Sequence, residues 1–105
     1  MNEAFVKFGE TKEIRPSSMK AVEVEGEKVC IINKEGNYYA IGNTCTHVGG
    51  PLNEGTVEEY EVECPWHGSK FDIRNGQATK PPAVRAVPRY EVKIEGNSIF
   101  VRKQK

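Results

Sequence analysis

Short turn signals recur along this chain of 105 residues and leave room for little besides β structure. They occur at Glu25-Gly26, Glu35-Gly36-Asn37, Gly42-Asn43, Asn75-Gly76 and Glu95-Gly96-Asn97. Each of them lies beside a run rich in Val, Ile, Tyr and Phe. Apolar and polar residues alternate over residues 21–25 and 90–95, as a strand with one buried face requires. We therefore expect an all-β domain of short antiparallel strands.

Two hairpins follow from these turns. Residues 29–32 are expected to pair with residues 38–41, and residues 90–95 with residues 98–102. No stretch of ten or more residues keeps a 3.6-residue apolar period, so helix is limited to about one turn. Residues 16–19 are the candidate for that turn, because proline suits a first helical position.

Composition and charge exclude several classes of function. Fifteen Lys and Arg residues balance fifteen Asp and Glu residues, so no overall field attracts nucleic acid or an anionic membrane. No run reaches the roughly 18 apolar residues of a membrane span, and residues 1–10 lack the features of a signal peptide. We expect a single domain, residues 1–105, that works in the cytoplasm without contact to nucleic acid or membrane.

Both histidines and two of the three cysteines fall in one region. They form Cys45-Thr46-His47 and Cys64-Pro65-Trp66-His67, with sixteen residues between the two halves. Each half offers one thiolate and one imidazole, which bind either zinc or an iron–sulfur cluster, so ligand type alone leaves both candidates open. The third cysteine, Cys30, lies in a strand-like run and is expected to be a small buried apolar residue.

The spacing of the four residues separates the two candidates. Structural zinc sites usually use C-x(2–4)-C pairs, and this chain has no such pair. A mixed two-iron centre has Cys ligands on one iron and His ligands on the other, so each loop can send one residue to each iron. The pattern C-x-H, then sixteen residues, then C-x-x-H matches that requirement at all four positions.

At these positions the sequence resembles the Rieske family, and specifically its small soluble ferredoxins. The resemblance extends through residues 45–55 and 64–72 and agrees with the flanking hairpins. It implies a small antiparallel β sandwich, the Rieske fold, with a two-loop cluster-binding subdomain at about residues 43–74. It also implies one [2Fe–2S] cluster. Cys45 and Cys64 would hold one iron, and His47 and His67 would hold the outer iron through their Nδ1 atoms.

At two points the sequence differs from the high-potential Rieske proteins, and both differences favour one branch of the family. The Rieske proteins of respiratory and photosynthetic complexes carry a further cysteine in each loop, and the two form a disulfide; Gly50 and Trp66 stand in those places here. High-potential members have a Ser and a Tyr that donate hydrogen bonds near the cluster, and this chain has Ser69 but Phe71. We expect an oxygenase-associated ferredoxin with a low reduction potential for the family, about −150 mV.

The resemblance implies an electron-transfer protein and not an enzyme. It would accept one electron from a flavin-containing reductase and give it to a terminal oxygenase, in transient complexes. An oxygenase needs a separate iron held by two histidines and a carboxylate, and both histidines here are already assigned. Two alternatives remain: a Rieske-like small subunit of a larger reductase such as nitrite reductase, and a structural zinc-binding module.

Three surface features are expected near the two loops. A small apolar docking patch is formed by Val48, Pro51, Leu52, Trp66 and Pro81. A proline-containing segment around Pro81-Pro82 and Pro88 covers the cluster, as it does in the family. A solvated acidic face is formed by Glu54, Glu58, Glu59, Glu61 and Glu63.

Overall fold

The computed structural model describes residues 5–46, 49–66 and 68–103, so His47 and His67 lie outside the described residues. In the described part the strands are β1 (Val6–Glu10), β2 (Ser18–Val24), β3 (Glu27–Lys34), β4 (Asn37–Gly42), β5 (Thr56–Glu58), β6 (Glu61–Glu63), β7 (Lys70–Asp72), β8 (Ala78–Lys80), β9 (Arg89–Glu95) and β10 (Ser98–Lys103). Two single-turn 3-10 helices are Thr11–Glu13 and Leu52–Glu54. The expected all-β fold is confirmed.

A six-stranded antiparallel sheet forms the larger layer, in the order β1-β10-β9-β4-β3-β2. Its two edge strands, β1 and β2, contact each other, so the sheet curves towards closure. Both predicted hairpins are confirmed: β3 pairs with β4 and β9 pairs with β10. A smaller antiparallel sheet, in the order β5-β6-β7-β8, forms the second layer.

Strand β3 is buried on both of its faces, which explains its nearly continuous apolar run. Val29 and Ile31 point into a core enclosed by the curved sheet, together with Ile99. The intervening residues Cys30 and Ile32 point into a second core, shared with the smaller sheet. Cys30 is fully buried, as expected, and burial raises the pKa of its thiol to about 12.

The helical turn expected at residues 16–19 is wrong. Ser17 has a φ of 65°, in the left-handed region that ends a right-handed turn. Ser18 and Met19 instead begin β2, where Met19 pairs with Ile32 across the sheet. Pairing with a distant strand therefore overrides the local signal from proline. Among the described residues, no helix is long and apolar enough to cross a membrane.

Candidate metal centre

The two cysteine-containing loops close with the same pair of backbone hydrogen bonds. In the first loop, the Cys45 N–H donates to the Gly50 carbonyl at 2.8 Å, and the Gly49 N–H donates to the Cys45 carbonyl at 2.9 Å. In the second loop, the Cys64 N–H donates to the Ser69 carbonyl at 2.7 Å, and its own carbonyl accepts from the N–H four residues later at 3.2 Å. The loops are therefore equivalent, although their histidines stand at different spacings in the sequence.

A glycine in left-handed conformation allows each loop to close. Gly49 has a φ of 81° and Gly68 a φ of 79°, and each stands four residues after the cysteine of its loop. Residues with a Cβ adopt this conformation only with strain, so glycine is the residue that suits both turns. The backbone conformation of the two loops thus explains why a glycine stands at each of these positions.

The structure brings Cys45 and Cys64 into the same core. Their residues are 2% and 1% exposed, and both contact the core that contains Phe71. A Cβ placed on Gly50 would lie 2.7 Å from Cys64 Sγ, so the backbone of the first loop reaches the thiol of the second. The two thiols are thus packed among buried apolar residues of one core.

Side chains that the sequence pattern does not single out hold the base of the first loop. The Asn43 amide donates to Asn53 Oδ1 at 2.8 Å, and the Asn53 backbone N–H donates to Asn43 Oδ1 at 2.9 Å. Asn43 is buried, and its carbonyl accepts from the Leu52 N–H at 2.8 Å. In the sequence, Asn43 is recognisable only as a turn residue, and nothing in that pattern predicts its pairing with Asn53.

The proline-containing segment, residues 81–88, is called the strap here, and it is tethered to both loops. The Ala83 N–H donates to Ser69 Oγ in the second loop at 3.0 Å. The Thr46 hydroxyl of the first loop donates to the Arg85 carbonyl at 2.7 Å. The strap thus connects the two loops through one hydrogen bond to each.

The expected apolar docking patch is only partly found among the described residues. Leu52 is fully buried in the core, so its assignment to the patch is wrong, and Val48 lies outside the described residues. Trp66 is 55% exposed, and Val84 on the strap is 84% exposed. Trp66 also lies close to the first loop, because a Cβ on Gly50 would be 3.2 Å from its ring.

The expected acidic face lies on the outer side of β5 and β6. Glu58 stands directly opposite Glu61 in the register of the two strands, and their neighbours Val57 and Val62 point the other way. None of the five glutamates between residues 54 and 63 forms a salt bridge with any residue that the structure describes. Glu54, Glu58 and Glu59 are exposed, as a solvated face requires, whereas Glu61 and Glu63 are half-buried.

The residues present fit an iron–sulfur cluster. Thiolates are the ligands that such clusters prefer, and the two cysteines lie buried in one apolar core, which keeps water from the sulfur atoms. Gly50 brings backbone, and no side chain of its own, next to Cys64 Sγ.

Comparison with known proteins agrees with this geometry. A family model described as the Rieske [2Fe-2S] domain matches residues 4–91. The ferredoxin component of the naphthalene 1,2-dioxygenase system of Pseudomonas aeruginosa is 34% identical over 101 residues, which is 96% of this chain and 97% of that protein. Human apoptosis-inducing factor 3 is 34% identical over 94 residues, 90% of this chain. The chain spans only 16% of the length of that relative.

Solved structures of ferredoxins also resemble this chain over almost its whole length. The ferredoxin of carbazole 1,9a-dioxygenase from Nocardioides aromaticivorans IC177 has a TM-score of 0.91 and 31% identity, covering 95% of this chain and 98% of that one. A chain in a complex of reduced oxygenase and oxidized ferredoxin of carbazole 1,9a-dioxygenase has a TM-score of 0.91 and 25% identity, covering 99% of both chains.

A nitrite reductase small subunit from Mycobacterium tuberculosis shares the fold alone, with a TM-score of 0.88 and 19% identity over 100% of this chain and 99% of that one. The family model and the relatives of matching length identify the protein at the level of its family. The chain belongs to the Rieske [2Fe–2S] domain family, and its cofactor is one [2Fe–2S] cluster.

Proposed function

We propose that this chain is a one-electron carrier between a flavin-containing reductase and the terminal oxygenase of a ring-hydroxylating dioxygenase system. The observation that carries the proposal is that Cys45 and Cys64, from two loops with the same hydrogen-bond pattern, are buried in one core. Relatives of matching length that are ferredoxin components of dioxygenase systems support the oxygenase as one partner. The reductase is the source of electrons that such a carrier requires.

We assign Cys45 and Cys64 to one iron, and His47 and His67 to the outer iron. The histidines are assigned from their spacing in the sequence and from the equivalence of the two loops. Within a single domain of residues 1–105, residues 43–74 form the cluster-binding subdomain. When bound, the cluster supplies a centre that accepts and releases one electron.

The protein's own residues hold this centre rigidly and close to the surface. Asn43 and Asn53 lock the base of the first loop, and the strap connects both loops. Exposed apolar side chains nearby, Trp66 and Val84, provide a small docking patch. A patch of this size suits the weak and transient complexes of a carrier that must leave one partner to meet the next.

The cytoplasm is the location we propose for this carrier, because the three cysteines are thiols, as is usual in a reducing compartment. The other two candidates have less support. Likeness to a nitrite reductase small subunit concerns the fold alone. A zinc-binding module has no support from the spacing of the four proposed ligands.

The experiment begins with anaerobically purified protein. We expect about two irons and two acid-labile sulfides per chain, with reduction by a flavin-containing reductase and reoxidation by a terminal oxygenase in stopped-flow mixing. Cys45→Ser and Cys64→Ser should abolish iron binding, and Cys30→Ala, the matched control in the same core, should retain it. One zinc per chain, or iron retained in both serine variants, would exclude the proposal.

A further inference from the structure

Glu63 carries its charge next to the second cysteine loop. It is the last residue of β6, and the residues on either side of it, Val62 and Cys64, are buried in the core. Its side chain therefore points to the outer face of the strand. Glu63 Oε2 lies 3.4 Å from the position that a Cβ would take on Gly68, so the carboxylate lies against the loop.

A second acidic residue, Glu54, lines the same shallow depression as Glu63. The depression has a volume of about 260 Å³, and Glu54, Glu63 and Cys64 are among its lining residues. Gly55 keeps the two segments together, because a Cβ on Gly55 would lie 1.8 Å from the Glu63 carbonyl oxygen. Two negative charges thus border one depression beside a proposed cluster ligand.

These two charges are not neutralised by any ion pair within the described part of the chain. Six other carboxylates form salt bridges there: Glu10, Glu13, Glu27, Asp72, Glu91 and Glu95. Lys70 stands opposite Glu63 in the register of β6 and β7, but the two side chains do not form a salt bridge. The field of Glu63 and Glu54 therefore acts on the neighbouring loop, reduced by solvent, by salt and by the nearby Lys70 charge, but not cancelled by a direct ion pair among the described residues.

We propose that Glu63, with Glu54 in support, lowers the reduction potential of the centre held by Cys45 and Cys64. Reduction adds one electron and hence one negative charge, and a carboxylate nearby makes that charge less favourable. The effect is separate from a hydrogen bond to the cluster, such as the one that Phe71 cannot donate, because it acts through space. The inference rests on the ligand assignment made under the proposed function.

Glu61 offers a matched control for Glu63. Both are on β6 and on the same outer face, but Glu61 is two residues, roughly 7 Å, farther from the loop. Glu63→Gln and Glu61→Gln each remove one charge from the protein. Because screening acts over about 8 Å at physiological salt, Glu63→Gln should raise the potential at least about twice as much as Glu61→Gln.

The experiment is voltammetry of the wild-type protein and the variants at low and high salt, with absorbance and electron paramagnetic resonance spectra to verify an intact cluster. We expect the difference between Glu63→Gln and wild type to shrink as salt increases. Glu54→Gln is the second variant, and it should also raise the potential more than Glu61→Gln does.

Equal shifts for Glu63→Gln, Glu54→Gln and Glu61→Gln, with intact clusters, would overturn this inference and leave the carrier function standing. A wild-type protein whose spectra lack a cluster held by mixed thiolate and imidazole ligands would overturn the ligand assignment and this inference together. The two failures are therefore distinguishable.

Discussion

Gly50 lies against Cys64, and the contact joins the two loops of the metal centre. A Cβ placed on Gly50 would approach Cys64 Sγ to 2.7 Å and the ring of Trp66 to 3.2 Å. Real Cβ atoms essentially never come within 3.0 Å of another atom, so a side chain at residue 50 would displace the thiol, and the ring would be tightly crowded. The absence of a side chain there lets the first loop pack directly on the second thiol.

Gly50→Ala should therefore disturb the centre. Overpacking in a filled core costs about 1–3 kcal/mol, and here the displaced atom is a proposed ligand. We expect reduced iron content and a lower melting temperature. Gly9→Ala is the control, because its Cβ would meet Glu13 Oε1 at 2.8 Å, and the end of that flexible side chain can move away. A Gly50→Ala protein with full iron content and unchanged melting would contradict the contact.

The two tethers of the strap should differ in strength. Ser69→Ala leaves the Ala83 N–H without its acceptor in a buried place, which costs about 1–3 kcal/mol. Thr46→Val removes a hydrogen bond in a more exposed place, worth about 0.5–1.5 kcal/mol. Chemical unfolding and the rate of iron loss to a chelator measure both. A Thr46→Val protein less stable than Ser69→Ala would reverse the predicted order.

Phe71→Tyr should raise the reduction potential. Phe71 is fully buried in the core that contains Cys45 and Cys64, so an added hydroxyl would have a ligand sulfur as its expected acceptor. A hydrogen bond of about 1.5 kcal/mol that favours the reduced form corresponds to some tens of millivolts. Phe8→Tyr, in the other core, is the control and should leave the potential unchanged. No shift with Phe71→Tyr would show that residue 71 does not face the sulfur atoms.

Alkaline pH should destabilise the protein through two buried groups. Burial raises the pKa of Cys30 to about 12, and burial with the adjacent Glu27 carboxylate raises the pKa of Tyr90 well above its usual value. Between pH 9 and 12 the unfolded chain loses these protons while the folded chain keeps them, so the free energy of unfolding decreases as pH rises. Cys30→Ala should remove the portion of this decrease in the free energy of unfolding that starts near pH 9. An identical pH profile for this variant and wild type would refute the assignment.

The hairpins could be predicted because their signals are local. Turn residues such as Gly36 and Gly96 adopt positive φ, and they stand beside apolar runs whose pairing they determine. The two cysteine loops could be predicted for the same reason, since each cysteine and the glycine that closes its loop lie within a few residues. Local sequence was therefore enough to predict most of the fold and the position of the two cysteine loops.

Features that depend on distant partners could not be predicted. Met19 belongs to a strand because of Ile32, and Leu52 is buried because the first loop folds its base inward at Asn43. The tether between Thr46 and Arg85 joins residues 39 positions apart. The local sequence around a proline or an apolar residue is the same whether that residue faces solvent or packs against a remote strand, so it cannot distinguish the two.

The most direct test of the central claim, that two cysteines and two histidines share one cluster, is electron–nuclear double resonance on the reduced protein labelled with 15N-histidine. We predict couplings from two histidine nitrogens, one of which disappears in His47→Cys and the other in His67→Cys. The potential should also fall in each variant, since an anionic thiolate replaces a neutral imidazole. A reduced cluster without coupling to histidine nitrogen, or with coupling unchanged in both variants, would contradict the assignment.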